Sequence, residues 1–126
     1  DVSHKKLTYI TPQDLPLVDR WLPRVLFKTG SFLDPNIWKD DFCALTPELI
    51  SFLSDRNVIT VGIDTPSIDL ADSKDLPTHQ AIYHHDMAIL EGLFLNHVSS
   101  GEYFLSALPL KILGGDAGPV RAVLMR

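Results

Sequence analysis

The hydrophobic and polar positions form their clearest pattern in the middle of the chain. The segment TPELISFLSDRN (46–57) opens with threonine and proline, and its apolar residues at 49–53 form one stripe at helical spacing. This order predicts an amphipathic helix that is capped by Thr46. Asn57 suits the left-handed residue that ends such a helix, because asparagine tolerates that conformation better than most residues.

The next segment, VITVGID (58–64), has a different pattern. It is almost continuously apolar, rich in β-branched residues and too short for a stable helix. These properties are typical of a strand that is buried on both faces and lies in the centre of a sheet. We therefore predict a central strand here, parallel to its neighbours.

Weaker patterns complete the predicted architecture. The segments with strand character are 24–30, 87–92, 93–98, 103–112 and 120–125, and those with helix character are 11–22 and 78–86. We expect Thr78 to cap the second of these helices and Pro16 to cut or bend the first. The alternation of strands and helices predicts an α/β protein, with a mixed β-sheet and flanking helices.

Size and charge limit the class of protein. A chain of 126 residues predicts one domain, 1–126. Its net charge of −5 and scattered basic residues argue against a nucleic-acid surface, and it contains no apolar run long enough for a membrane span. The single cysteine, Cys43, favours a reducing, cytoplasmic location, and its apolar surroundings predict a buried filler rather than a nucleophile.

Glu91 is the most unusual residue in the chain, because it stands alone within the apolar run AILEGLFL. We predict a strand that is buried on both faces at this point, where an unpaired carboxylate would cost several kcal/mol. Two explanations are open. Glu91 forms a salt bridge or meets water beside Gly92, or it binds a metal ion.

Three histidines lie within twelve residues before Glu91, at positions 79, 84 and 85. A helix over 78–85 followed directly by a strand reverses the chain, and this path places His79 beside Glu91. A histidine and a carboxylate suit zinc or manganese. The spacing matches no local metal motif, so on this pattern alone the metal pair remains one of two alternatives. We expect His4 and His97 to be ordinary surface or turn residues.

Other polar or aromatic residues are weaker candidates. Asp64 ends the predicted central strand, where α/β proteins bind ligands, but it equally suits a cap for the turn at 65–66. The loop GGDAG (114–118) lacks the lysine and the following helix of a phosphate-binding loop. Trp38 lies in the polar segment 31–41, and it is either an aromatic wall for a substrate or an anchored core residue.

Four motifs occur in a specific order: VGIDTPSID, AILEGL, ALPLK and DAGPVRAV. In this order they resemble the C-terminal half of the bacterial kynurenine formamidases, which form part of the metal-dependent cyclase family. The resemblance extends over about 24–124, which is most of the chain.

This resemblance implies a swivelling β/β/α fold and hydrolysis of N-formyl-L-kynurenine, a small-molecule substrate, to L-kynurenine and formate. It also implies a homodimer with two zinc ions per full-length subunit, or manganese or another divalent metal in their place. His79 and Glu91 match the family's histidine and glutamate ligands. A metal ion at this position would explain the carboxylate within an apolar run.

The chain departs from the family pattern at its beginning. The family's other metal ligands lie in an N-terminal motif of the type H-x-G-T-H-x-D, and this sequence does not contain one. We therefore expect a C-terminal portion with an incomplete fold, no catalytic residue of its own and little activity alone. Two alternatives stay open: a related hydrolase of cyclic amides or lactones, and a non-catalytic ligand-binding or oligomerisation domain.

Overall fold

The computed structural model describes residues 1–6 and 8–126, and its strands form three small sheets. The strands are β1 (Tyr9–Ile10), β2 (Arg24–Phe27), β3 (Ala44–Leu45), β4 (Thr60–Ile63), β5 (Ala88–Leu90), β6 (Phe104–Pro109) and β7 (Val120–Met125). The helices are α1 (Pro47–Ser54) and α2 (Pro77–His84), with short 3-10 helices at Ser3–Lys5 and Pro12–Asp14. The predicted α/β class is confirmed.

A three-stranded parallel sheet, in the order β2-β4-β5, forms the centre of the fold. In its register Val61 of β4 lies between Val25 of β2 and Ile89 of β5. Val61 and Ile63 are fully buried, as expected of β-branched and apolar residues with neighbours on both sides. The predicted central parallel strand is therefore confirmed.

Helix α1 forms as its sequence predicts. The Thr46 hydroxyl accepts a hydrogen bond from the amide of Leu49 (3.3 Å), and Pro47 occupies the first helical position. Leu49, Ile50 and Leu53 form the buried face of the helix. Asn57 follows with a φ of 62°, the left-handed conformation predicted for it.

Strands β6 and β7 form an antiparallel hairpin in a sheet of their own. The predicted mixture of parallel and antiparallel strands is therefore present, but it is divided among separate sheets. With only one partner each, the two strands expose large apolar side chains, among them Phe104, Leu108 and Met125. Pro109 is paired with Val120 at the end of β6, in a two-stranded sheet where both strands are edge strands, as is usual for a proline in a strand.

The helix predicted over 11–22 is wrong except for the single turn Pro12–Asp14. Asp14 accepts hydrogen bonds from the amide and hydroxyl of Thr11, which closes that turn. Pro16 then prevents continuation, because a residue before proline is driven out of the helical region. Leu15 accordingly has an extended backbone, with φ −81° and ψ 149°.

The strand predicted over 93–98 is also wrong, since this segment has no regular secondary structure. Gly92 adopts a φ of 63° and turns the chain away from the direction of β5. The ammonium group of Lys28 then donates to the carbonyl oxygens of Asn96 (3.2 Å) and Val98 (3.0 Å). A side chain thus satisfies carbonyl groups that a strand would pair with a neighbouring backbone.

Cys43 is buried, as predicted, and its amide donates to the hydroxyl of Ser31. Burial, assisted by the negative charges of Asp64 and Asp14, raises the pKa of its thiol to about 12. We expect Cys43 to react with a thiol reagent such as DTNB at pH 8 at least about 100-fold more slowly than in urea, because the reactive thiolate is scarce in the folded chain. Equal rates in the two conditions would contradict this burial.

Two predictions concern the cellular location of the protein and its oligomeric state. Both α-helices contain eight residues, and across residues 1–6 and 8–126 none has the length and apolarity to cross a bilayer. The cytoplasmic location and the homo-oligomer stay predictions.

Candidate metal-binding site

The candidate site lies where the first turn of α2 meets the end of β5. Helix α2 packs against α1 and leads into β5 through a tight reversal, in which the amide of Met87 donates to the carbonyl of Ile82 (3.0 Å). Strand β5 pairs in parallel with β4, so its carboxyl end points to the side of the sheet where α/β proteins bind ligands. The predicted return path is therefore present, and it places His79 next to Glu91.

His79 occupies the first turn of α2, and a distant carboxylate holds it there. Asp69 Oδ1 accepts a hydrogen bond from the amide of Thr78 (3.0 Å), and Asp69 Oδ2 accepts one from the amide of His79 (3.0 Å). Oδ2 also lies 2.7 Å from the ring nitrogen Nδ1 of His79. One carboxylate thus contacts both the backbone and the side chain of the same histidine.

The prediction that Thr78 caps α2 is wrong. Thr78 lies inside the helix, and its hydroxyl donates to the carbonyl oxygen of Leu45 in β3 (2.8 Å). Leu76 occupies the cap position in a left-handed conformation and supplies no side-chain hydrogen bond. Asp69 replaces the missing local cap, because its oxygens accept from two of the amides that a helix start leaves without partners.

Asp69 is ionised despite its burial. Only 3% of the residue is exposed, and this burial by itself raises the pKa of the carboxyl group. The hydrogen bond from the His79 ring and those from the Thr78 and His79 amides act in the opposite direction and prevail, so the pKa of Asp69 lies below its ordinary value. Since an ionised carboxylate has no proton to donate, Nδ1 of His79 must be the donor of the 2.7 Å contact.

Glu91 faces the other side of the imidazole ring. Its Oε1 lies 3.3 Å from Nε2 of His79 and accepts a hydrogen bond from the amide of Ile68 (2.9 Å). Strand β5 ends at Leu90, so the prediction that Glu91 lies within a strand buried on both faces is wrong. Its side chain is 28% exposed and reaches water at the edge of an open cleft, which α2, β5 and the β6–β7 hairpin line.

A positive charge between the facing atoms of His79 and Glu91 would stabilise their close approach. If Nδ1 carries the proton of a neutral ring, Nε2 presents a lone pair to a carboxylate oxygen 3.3 Å away. Two electron-rich atoms at this distance repel each other unless a second ring proton or a metal ion lies near both. The salt-bridge explanation and the metal explanation of Glu91 are therefore both chemically possible at this site.

The geometry fits two ligands of one divalent ion. A zinc ion holds nitrogen and oxygen ligands at about 2.0–2.2 Å in a tetrahedron, which places neighbouring donor atoms about 3.3–3.5 Å apart. The observed separation of 3.3 Å between Nε2 and Oε1 matches this value. In the part of the chain that the structure describes, no group of three or more histidine, cysteine or acidic side chains could hold a metal ion. Among the described residues, His79 and Glu91 are thus two potential ligands without a third.

Two of the remaining histidines, His84 and His85, line the same cleft at the end of α2. His84 and His85 form an edge-to-face pair with ring centroids 5.5 Å apart, and Nε2 of His85 lies 3.0 Å from the hydroxyl of Ser51 on α1. His4 and His97 are exposed, as expected of surface histidines.

Trp38 lies in the loop between β2 and β3, as its sequence context indicates, and 64% of it is exposed. Its ring packs edge-on against Phe32 and Phe42, and its indole nitrogen donates to Asp40. Among the described residues, it is absent from those lining the cleft beside His79 and Glu91. Its role as a substrate contact therefore stays a prediction.

Asp64 has a structural role at the carboxyl end of β4. Its carboxylate accepts hydrogen bonds from the amide (2.9 Å) and hydroxyl (2.7 Å) of Thr29 and from the amide of Gly30 (2.9 Å). These contacts join the end of β4 to the end of β2. They leave neither oxygen of Asp64 without a hydrogen-bond donor.

Known proteins resemble most of this chain, although no protein-family model matches it. It is 49% identical over 116 residues to the kynurenine formamidases of Bordetella pertussis (strain Tohama I) and Bordetella bronchiseptica (strain RB50). Each match covers 91% of this chain and 56% of the relative. The kynurenine formamidase of Bordetella petrii is 48% identical over 102 residues, which are 81% of this chain and 49% of that relative.

Two solved structures share the fold. One is described as a potential metal-dependent hydrolase with cyclase activity; it is 34% identical, with a TM-score of 0.82, over 93% of this chain and 58% of the other. The second is a predicted metal-dependent hydrolase from Bacillus stearothermophilus, 34% identical with a TM-score of 0.81, over 93% of this chain and 57% of the other.

These comparisons confirm the resemblance to kynurenine formamidases that the sequence motifs predict. The chain spans about half the length of the curated relatives it matches.

Proposed function

We propose that residues 1–126 form one domain of a metal-dependent amide hydrolase that converts N-formyl-L-kynurenine to L-kynurenine and formate. The names of its relatives support the substrate, and those of its structural neighbours support the metal. The observation that carries the proposal is the 3.3 Å approach of His79 Nε2 to Glu91 Oε1, because a divalent cation accounts for both atoms at once.

In this proposal His79 and Glu91 hold a zinc ion, or manganese in its place, at the edge of the cleft. The bound ion would activate water and polarise the formyl group of the substrate. Water adds to the formyl carbon, the bond from that carbon to the aniline nitrogen breaks, and formate and an amine are released. Nε2 of His79 and Oε1 of Glu91 would hold the ion, and Asp69 orients the ring that carries Nε2.

The remaining ligands and the group that accepts the proton from water would come from sequence that the relatives carry outside the matched region. This follows from two observations. The described residues provide only two convergent donors at the site, and the chain spans about half of each curated relative. We therefore expect little hydrolysis by residues 1–126 alone.

A chimera tests the proposed function. The chain replaces the 116 matched residues of the Bordetella pertussis relative, and kynurenine formation is followed by its absorbance. We expect zinc-dependent hydrolysis that falls by at least about 100-fold in the His79→Ala and Glu91→Ala chimeras, because each loses a metal ligand. The matched control is His97→Ala, which removes an exposed imidazole that is not among the described residues lining the cleft. Full activity of the His79→Ala chimera would refute the proposal.

One structural neighbour is described as having cyclase activity, which favours hydrolysis of a cyclic amide or lactone as the second candidate function. The same chimera distinguishes the two functions when it receives N-formyl-L-kynurenine and a cyclic ester or amide in parallel. Preference for the linear formamide supports the first function, and preference for the ring supports the second.

A further inference from the structure

We propose that Asp69 is a positioning residue that selects the tautomer of His79 and thereby keeps Nε2 available as a metal ligand. This inference rests on the proposed function for its consequence, but the tautomer itself is a property of the metal-free chain. Asp69 is more than 20 residues from Glu91 in sequence, and the two carboxylates contact opposite nitrogens of the same ring.

The first part of the argument concerns the rigidity of the ring. Oδ2 of Asp69 accepts from the backbone amide of His79 at 3.0 Å and lies 2.7 Å from Nδ1 of its side chain. Oδ1 simultaneously accepts from the amide of Thr78. Because one buried carboxylate binds both the main chain and the ring, rotation of the imidazole would break the shortest of these contacts. The ring therefore keeps the orientation in which Nε2 faces Glu91.

The second part concerns the competition between two carboxylates for one proton. A neutral imidazole carries a proton on only one nitrogen, and the hydrogen bond made there decides which one. Glu91 would favour a proton on Nε2, whereas Asp69 favours one on Nδ1. The contact of Asp69 is shorter (2.7 Å against 3.3 Å), and its side chain is 4% exposed against 28% for Glu91. The shorter and less solvent-screened contact prevails, since charge-assisted hydrogen bonds strengthen at short distance and low dielectric.

The third part is the state expected without Asp69. The proton would then move to Nε2 and be donated to Oε1 of Glu91, only 3.3 Å away. The two ligands would bind each other in place of the metal ion. Asp69 therefore prevents an internally satisfied arrangement of the site, in addition to capping α2.

Nitrogen NMR of the metal-free chain tests this inference. In ¹⁵N-labelled protein at a pH above the titration of its histidines, we expect Nδ1 of His79 to show the shift of a protonated ring nitrogen and Nε2 that of an unprotonated one. In Asp69→Ala we expect the pattern to reverse. A wild-type ring protonated on Nε2 would overturn the inference, even if Asp69→Ala failed to fold.

Thr78→Ala is the matched control, because it removes the hydrogen bond to Leu45 in the same helical turn and leaves the His79 ring contact in place. A role of Asp69 in stability alone predicts that both variants retain the wild-type tautomer. We expect Asp69→Ala to weaken Zn²⁺ binding by about 10- to 100-fold, the usual effect of losing the partner of a ligating histidine. Thr78→Ala should stay within about threefold of wild type. Equal losses in both variants would overturn the inference.

Hydrolysis is not needed for any of these measurements. A chain that shows the expected tautomer but gives an inactive chimera would contradict the proposed function and leave the role of Asp69 intact. Conversely, the chimera could be active while His79 of the metal-free chain carries its proton on Nε2. That result would support the proposed function and contradict the role of Asp69.

Discussion

Replacement of Glu91 by glutamine should lower the affinity of this chain for Zn²⁺ by at least about 100-fold. The loss of a group that only hydrogen-bonds to a metal ligand usually lowers the affinity less than this. The neutral amide oxygen is a much poorer ligand than a carboxylate, and its loss leaves His79 as the single strong donor of the pair. Glutamine can still accept the hydrogen bond from the amide of Ile68 through its amide oxygen. The fold should therefore be unchanged, and isothermal titration calorimetry with Zn²⁺ measures the effect.

The control for this substitution is Glu102→Gln, which removes the same charge from an exposed position before β6. Its zinc affinity should equal that of the wild-type chain. If Glu91→Gln and wild type bound zinc equally, the metal explanation of Glu91 would be wrong and the salt bridge with a protonated His79 would remain.

Replacement of Leu49 by alanine should lower the free energy of unfolding by about 2–5 kcal/mol, the range for truncation of a buried leucine. Leu49 is completely buried in the core formed by α1 and the β-strands, so its side chain leaves a cavity that the neighbouring Ile50 and Leu53 cannot fill without moving. Urea unfolding followed by circular dichroism measures the change.

Leu17→Ala is the control, because Leu17 is fully exposed and the substitution should change the free energy of unfolding by less than about 0.5 kcal/mol. A similar small change for Leu49→Ala would mean that α1 does not pack into the core as described.

Elements with local sequence signals could be predicted from the sequence. Helix α1 follows from Thr46, Pro47 and its apolar stripe, and β4 follows from a β-branched run of strand length. The failures arose where a distant group decides the structure. The segment 93–98 looks apolar enough for a strand, but Gly92 turns it away and Lys28, more than 60 residues earlier, binds its carbonyl groups.

The candidate site shows the same limit. The convergence of His79 and Glu91 could be predicted, because a helix followed at once by a strand reverses the chain within a few residues. Asp69 was missed, although it ends the motif VGIDTPSID. The available signal was indirect: α2 begins at Pro77 after a leucine, so its start has no local capping side chain and an acceptor from another segment is required.

The most direct test of the central claim is X-ray diffraction from crystals of this chain grown with Zn²⁺, with data collected on both sides of the zinc absorption edge. We predict an anomalous peak within about 2.0–2.2 Å of both His79 Nε2 and Glu91 Oε1, the usual length of zinc bonds to nitrogen and oxygen. An anomalous map without a peak between these two atoms, with the His79 ring hydrogen-bonded directly to Glu91, would contradict the account.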